Sequence, residues 1–226
     1  MSYLYEDRLS GSELVESIWH TIAEEAGRYL AVADASWDFL IVRQRGQTQI
    51  HVAGAATAVA PITYEVGTEY IGIRMRVGTY MPHWPASDLV DSMHLLQCAG
   101  RDTFWMQDET LPLPDYNTVE PFIERLVRKG LLEQDPVIAA YLEGEAPGSL
   151  RSLQRRYLRA TGMSPSYHQV IERARKAQDL LLKGQSILDT VFELGYSDQP
   201  HLTKALKRYL GQTPGQLARA AQAPDS

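Results

Sequence analysis

The chain has 226 residues, 44% hydrophobic and 22% charged, with 16 glycines and 12 prolines. That is the composition of one large or two small globular domains, and it excludes collagen-like repetition and low-complexity disorder. A single cysteine, Cys98, rules out an internal disulfide and the cysteine clusters of structural zinc or iron–sulfur sites, and it fits a reducing compartment. The net charge of −6 is unevenly spread: residues 1–119 hold 7 basic and 16 acidic side chains, whereas residues 149–219 hold 12 and 5. An acidic front half joined to a basic back half suggests two modules, and only the second suits the field of a phosphate backbone. The start, MSYLYEDRLS, is too polar for a signal peptide, and HVAGAATAVAPI is far shorter than the roughly 20 apolar residues of a membrane span, so a cytoplasmic, nucleoid-associated chain with no membrane partner is expected.

In chain order, ELVESIWHTIAEE fits a helical stripe through Leu14, Ile18 and Ile22 and equally an alternating strand, so its state stays open. Residues 28–77 give short apolar or alternating runs, RYLAVA, WDFLIVRQ, TQIHVAG and YIGIRMRV, punctuated by Asp34, Gly46, Gly54, Pro61 and Gly67. They predict a small antiparallel β barrel or sandwich. In YIGIRMRV, Ile71, Ile73, Met75 and Val77 share one face and Gly72, Arg74 and Arg76 the other. Leu89, Met93 and Leu96 in ASDLVDSMHLLQCAG stand at helical spacing, which places Cys98 in a helix as a small buried hydrophobe. Phe122, Leu126 and Val127 predict a second helix, and the stretch between, with Pro112 and Pro114, reads as a linker. The fold class is thus α+β, with residues 1–115 as a β-rich sensing or oligomerisation domain with flanking helices and 116–226 as an all-α domain.

The all-α part repeats itself at an offset of 49 without a gap. Ser149 meets Asp198, Leu153 meets Leu202, Tyr157 meets Leu206, Arg159 meets Arg208, Gly162 meets Gly211, and Ser164-Pro165 meets Thr213-Pro214. Each unit has a capping side chain, an apolar stripe, a glycine suited to the left-handed conformation and a Ser/Thr-Pro start of the next helix. Upstream, Ile138 meets Ile187 and Leu142 meets Val191, so each capped helix follows a shorter one; the second turn is Leu194-Gly195-Tyr196-Ser197, while in the first Ala146 takes the place of the glycine. These are two helix-turn-helix lobes. Between them lies SPSYHQVIERARKAQDLLLKG, a helix from Pro165 to Lys183 with Tyr167, Val170, Ile171, Ala174, Ala177 and Leu181 on one stripe. At 1.5 Å per residue it is about 28 Å long, close to the roughly 34 Å between successive major grooves on one side of a duplex.

With Leu150, Leu153 and Tyr157 turned inward, the first capped helix offers Arg151, Gln154 and Arg155 to a groove. Arginine pairs bidentately with guanine and glutamine with adenine. The second offers Gln199, His201, Thr203 and Lys204, with Lys204, Lys207 and Arg208 suited to phosphates. The expected partner is double-stranded promoter or operator DNA.

The segments SLRSLQRRYLRATGMSPSYHQVIERARKAQDLL and SILDTVFELGYSDQPHLTKALKRYLGQTPGQLAR resemble the AraC family of bacterial transcription regulators over about 85 residues. Gly195, Tyr196, Ser197, Asp198, Gln199, Leu202, Lys207, Arg208, Gly211, Thr213 and Pro214 carry its signature. The resemblance implies a two-lobed helical DNA-binding domain, with promoter contacts from Arg151, Gln154, Arg155, Gln199, His201 and Lys204; Lys204 stands where the family usually has arginine. Through YIGIRMRVG the front half more faintly resembles the cupin-like sensing domains attached to some of these regulators. This layout leaves open a small-molecule effector, RNA polymerase and a second copy of the chain as further partners. Candidate effector contacts are Arg74, Arg76, Trp37 and Trp84, although Trp19, Trp37, Trp84 and Trp105 are equally the material of a core.

The competing class is a cupin-like metal-dependent enzyme with an appended DNA-binding module. Such a metal site wants two histidines one residue apart on a strand, whereas His51 stands alone and His20, His83 and His94 are scattered. No HxH, HExxH, nucleophile elbow, P-loop or dinucleotide fingerprint occurs, and a DNA-repair methyltransferase would need several cysteines. No catalytic residue, metal or cofactor is therefore expected.

Overall fold

A computed structural model describes residues 3–145 and 148–222. Its strands are β1 (Tyr3–Arg8), β2 (Val15–Ala23), β3 (Gly27–Ala31), β4 (Asp38–Gln44), β5 (Gln47–Ala53), β6 (Ala60–Tyr64), β7 (Glu69–Met75), β8 (Thr79–Tyr80), β9 (Met93–Leu95), β10 (Thr103–Met106), β11 (Glu109–Pro112) and β12 (Glu133–Gln134). Its helices are α1 (Val119–Arg128), α2 (Pro136–Leu142), α3 (Leu150–Thr161), α4 (Pro165–Leu182), α5 (Ile187–Glu193), α6 (Gln199–Leu210) and α7 (Pro214–Ala220). The fold is α+β: antiparallel strands first, helices last. Two compact units form, one from the chain up to Arg28 with Ala35–Ala55 and Thr63–Pro165, the other from Tyr29–Asp34, Ala56–Ile62 and the chain from Ser166 onward. The composition break near residue 116 and the compact units therefore divide the chain at different places.

The first unit is built on a six-stranded antiparallel sheet in the order β1-β2-β7-β4-β5-β9. The order is linear among the described residues, so this sheet has two edges rather than the closure of a barrel. The alternation expected in β7 holds, with Ile71, Ile73 and Met75 buried and Arg74 and Arg76 on the wetter side. The ambiguous run after residue 13 is strand β2, paired with β1 and β7, because its buried Val15 and Ile18 meet Met75 and Ile73 across the ladder. Arg45-Gly46, with φ of 50° and 75°, makes the tight turn between β4 and β5. Helix α1 covers the core face: Val119, Phe122, Ile123 and Leu126 are buried, and the Phe122 ring meets Phe39 edge-on at 5.4 Å.

Three expectations are corrected here. The helix expected after residue 85 is a short 3-10 turn, Ala86–Asp88, followed by edge strand β9 paired with β5. Leu89 and Leu96 are buried while Met93 is exposed, and left-handed Asp91 (φ 56°) breaks the run between them. Cys98 is consequently exposed and bridges Phe104 rather than lying buried in a helix. The supposed linker contains the β10–β11 hairpin, which buries Phe104, Met106 and Leu111 and leaves Trp105 outside the core.

In the second unit, α4 buries Ile171, Ala174, Ala177 and Leu181, the expected stripe, and Gly184 (φ 89°) follows its end. Helix α6 buries Leu202, Ala205, Leu206, Tyr209 and Leu210, and α7 begins with a complete capping box between Thr213 and Gln216. Two segments from the front of the sequence belong to this unit. The Ala33 N–H donates to the Tyr209 carbonyl (2.8 Å) and the Val59 N–H to the Arg208 carbonyl (2.9 Å). These bonds satisfy acceptors that the last turn of a helix leaves unpaired. The Tyr167 hydroxyl donates to the Thr57 carbonyl (2.7 Å), and Arg175 reaches the Ala33 carbonyl (3.3 Å) and Asp34.

Candidate nucleic-acid interface

The two capped helices obey the offset residue by residue: α3 spans Leu150–Thr161 and α6 Gln199–Leu210. Ser149 caps α3 by accepting the Ser152 N–H, and Asp198 caps α6 by accepting the His201 N–H at 2.7 Å. Both helices end on a left-handed glycine, Gly162 (φ 70°) and Gly211 (φ 71°), and both are followed by a proline-initiated helix. Upstream the register slips, because the connection from α2 to α3 runs over residues 143–149 but that from α5 to α6 only over 194–198. Ile138 is thus the third residue of its helix and Ile187 the first, a departure from the expected pairing. Ala146, expected in place of the glycine, lies outside the described residues.

In the first unit α3 rests on Leu153, Tyr157 and Ala160, which pack with Tyr80 and Ile138. A polar ring surrounds this contact. Arg156 pairs with the buried Asp135, which also caps α2 (Nη1–Oδ2 3.0 Å), while Arg159 hydrogen-bonds the Tyr80 hydroxyl and lies over its ring. The Tyr80 hydroxyl donates in turn to Glu133 at 2.6 Å, and burial first, then this bond, pushes its pKa up. Arg151, Gln154 and Arg155 are left exposed on the opposite side, as expected. Leu150 is not turned inward: it is 70% exposed, and Leu158 is 56% exposed beside the arginines. The repeat itself explains Leu150, since its counterpart is the exposed Gln199.

In the second unit Gln199, Pro200, Thr203, Lys204, Lys207 and Arg208 line one shallow concavity along α6. Gln199, Lys204, Lys207 and Arg208 are exposed, whereas Thr203 is half-buried and turns its hydroxyl back onto the Gln199 carbonyl at 2.9 Å. Arg208 sits over the Tyr209 ring and near the Tyr167 hydroxyl (3.4 Å). His201 is exposed at the start of the helix, with its ring tied to Ser197 and edge-on to Tyr196. Four cationic or amide side chains, Gln199, Lys204, Lys207 and Arg208, on one helical side and none on the buried side make a surface that matches phosphates and base edges.

The candidate effector residues are not gathered in the same way. Trp37 is buried and donates its indole N–H to the Thr79 carbonyl at 2.7 Å. Arg74 pairs with Asp38 (3.3 Å), whose carboxyl burial pushes up while Arg74 opposes the shift, and Arg76 donates to the Val15 carbonyl (3.2 Å). Trp84 lies elsewhere, against His94 and in a small cleft with His83, Leu96, Trp105, Met106 and Gln107. Among the described residues no group of three or more His, Cys, Asp or Glu side chains lies together as a metal site would require, and no helix is long and apolar enough to cross a membrane.

A pair of capped helices with matched glycine stops and cationic outer faces is the framework of a helix-turn-helix DNA-binding domain, and residues 145–220 match the family model described as a helix-turn-helix domain. This domain is of the AraC type. Over 90 residues the chain is 32% identical to the regulatory protein ada of Salmonella typhimurium (strain LT2), an overlap of 39% of this chain and 26% of that protein. The chain therefore overlaps about a quarter of the length of the curated relative it matches. No solved structure matches it.

Proposed function

We propose that the protein is a sequence-specific, DNA-binding transcription regulator of the AraC type that inserts α3 and α6 into successive major grooves. The observation that carries this reading is the 49-residue repeat, which reproduces cap, helix and left-handed glycine in both copies while leaving an exposed cationic and amide face on each. Arg151, Gln154 and Arg155 read bases; Gln199, His201, Thr203 and Lys204 contact the second site, and Lys207 and Arg208 anchor phosphates. The 18 residues of α4 span about 27 Å, a length of the order of the roughly 34 Å between successive major grooves on one side of a duplex. The β-rich residues 1–115 serve as the sensing or oligomerisation part and residues 116–226 as the DNA-binding part, in a cytoplasmic protein. A small effector or a second copy acting on the former, and RNA polymerase contacting the bound protein, complete the regulatory scheme.

The test is the salt dependence of duplex binding by the full chain. Affinity should fall by orders of magnitude between 50 and 200 mM salt as displaced counterions cease to drive binding. A preferred duplex should also outcompete random duplex by at least about a thousandfold. Binding that ignores salt, or that treats all duplexes alike, contradicts the reading.

A further inference from the structure

We propose that His201 donates a hydrogen bond from Nε2 to a DNA phosphate, with Ser197 and Tyr196 as its positioning residues; this rests on the DNA-binding reading above. The Nδ1 atom of His201 lies 3.4 Å from the Ser197 backbone nitrogen and 3.2 Å from the Ser197 Oγ. A backbone N–H can only donate, so Nδ1 must present its lone pair, and a neutral imidazole then carries its proton on Nε2. Asp198, the cap, takes the His201 N–H, while the His201 ring takes the N–H of Ser197, one residue before the cap, so the bond differs from a capping box, whose N3 side chain reaches the N–H of the cap itself. The ring plane is also fixed. Tyr196 stands edge-on to it at 5.2 Å and 83°, and Tyr196 is itself held under the Arg173 guanidinium at 4.6 Å.

His201 is exposed in the first turn of α6. His201, Lys204 and Arg208 follow one another at i, i+3 and i+7, and by the turn of a helix His201 and Arg208 lie about 40–60° to one side of Lys204. Pro200, Lys204 and Lys207 occupy the middle of the outer face. A donor on the flank, at the helix N-terminus, meets the strand that borders the groove rather than the bases on its floor.

Three measurements on the full chain test this. Nitrogen-15 NMR of the free protein should show His201 protonated at Nε2 and bare at Nδ1; a mixture of tautomers or a proton on Nδ1 overturns the proposal. His201→Asn keeps an acceptor where Nδ1 was, and so keeps the bond from Ser197, but has no group at Nε2. It should weaken binding on the order of tenfold on every duplex, and His201→Gln, whose amide reaches the Nε2 position, should recover most of the loss. A loss confined to one base pair, or no loss while Lys207→Ala still weakens binding, overturns it. If Lys207→Ala and Arg151→Ala are also without effect, the DNA-binding reading itself has failed, an outcome told apart from the others by those two controls.

Discussion

At the scale of single residues the two reading helices divide their work. Arg151 and Arg155 are exposed and stand where a recognition helix meets base edges, so Arg151→Ala and Arg155→Ala should each cost about 1–3 kcal/mol of binding and relax preference at one base pair. Lys207→Ala should weaken all sequences alike and lower the salt slope by about 1, which titrations on specific and random duplex will check. An ion pair within the first unit contributes to acid stability. Arg8 grips Glu120 with two hydrogen bonds, at 2.5 and 3.0 Å, and these bonds hold the Glu120 carboxyl below the ordinary carboxylate range against the opposing effect of burial. A depressed folded-state pKa contributes stability that is complete above the unfolded value and is lost as pH falls through the folded one. Glu120→Gln should therefore lower stability at neutral pH and flatten its loss on the acid side, as read from denaturant midpoints across pH. Equal midpoint shifts at all pH values would contradict this assignment.

At the scale of elements the three left-handed glycines of the lobes are graded by their surroundings. A Cβ at Gly162 would meet Val90 at 2.5 Å and the Ala86 carbonyl oxygen at 2.7 Å; at Gly211 it would meet Leu30 and Val59 at 3.1 and 3.2 Å; at Gly195 nothing lies within 4 Å. All three share a positive φ, which costs an alanine about 1 kcal/mol. Thermal unfolding should then rank the variants Gly162→Ala as most destabilised, Gly211→Ala next and Gly195→Ala least. Equal losses would mean that backbone conformation alone sets the cost.

Elements also show what the sequence could and could not disclose. The repeat was legible because capping side chains and glycine stops are local signals, and Ser149, Asp198, Gly162 and Gly211 stand where local chemistry puts them. The stretch after residue 85 misled because Leu89 and Leu96 are seven apart, a spacing that suits two helical turns as well as two ends of a turn-and-strand. Only the free edge of β5, invisible from within the segment, decides in favour of β9. Likewise nothing local in the sequence sets Arg156 and Arg159 apart, and it is Asp135 and Tyr80, 21 and 79 residues away, that make them part of the seat of α3.

At the scale of the whole molecule, helices from the back of the sequence draw packing partners from its front. Helix α3 rests on Tyr80 and Ile138 within the first unit, and the last turn of α6 takes hydrogen bonds from Ala33 and Val59. A fragment of residues 116–226 loses Tyr80 and its bond to Arg159, and it leaves the Arg208 and Tyr209 carbonyls to water, each lost bond being worth about 0.5–1.5 kcal/mol net. Such a fragment should melt at a lower temperature and bind its duplex more weakly than the full chain. A fragment as stable and as tight as the full chain would mean that the front half contributes nothing to either reading helix.

The most direct test is selection of bound duplexes from a random pool by the full chain. The account predicts a site with two unlike halves whose centres lie about one helical turn apart, with the half read by α3 losing its sequence preference in the Arg151→Ala, Arg155→Ala double variant while the other half persists. A single short motif, a pair of halves that degrade together, or no enrichment would contradict it.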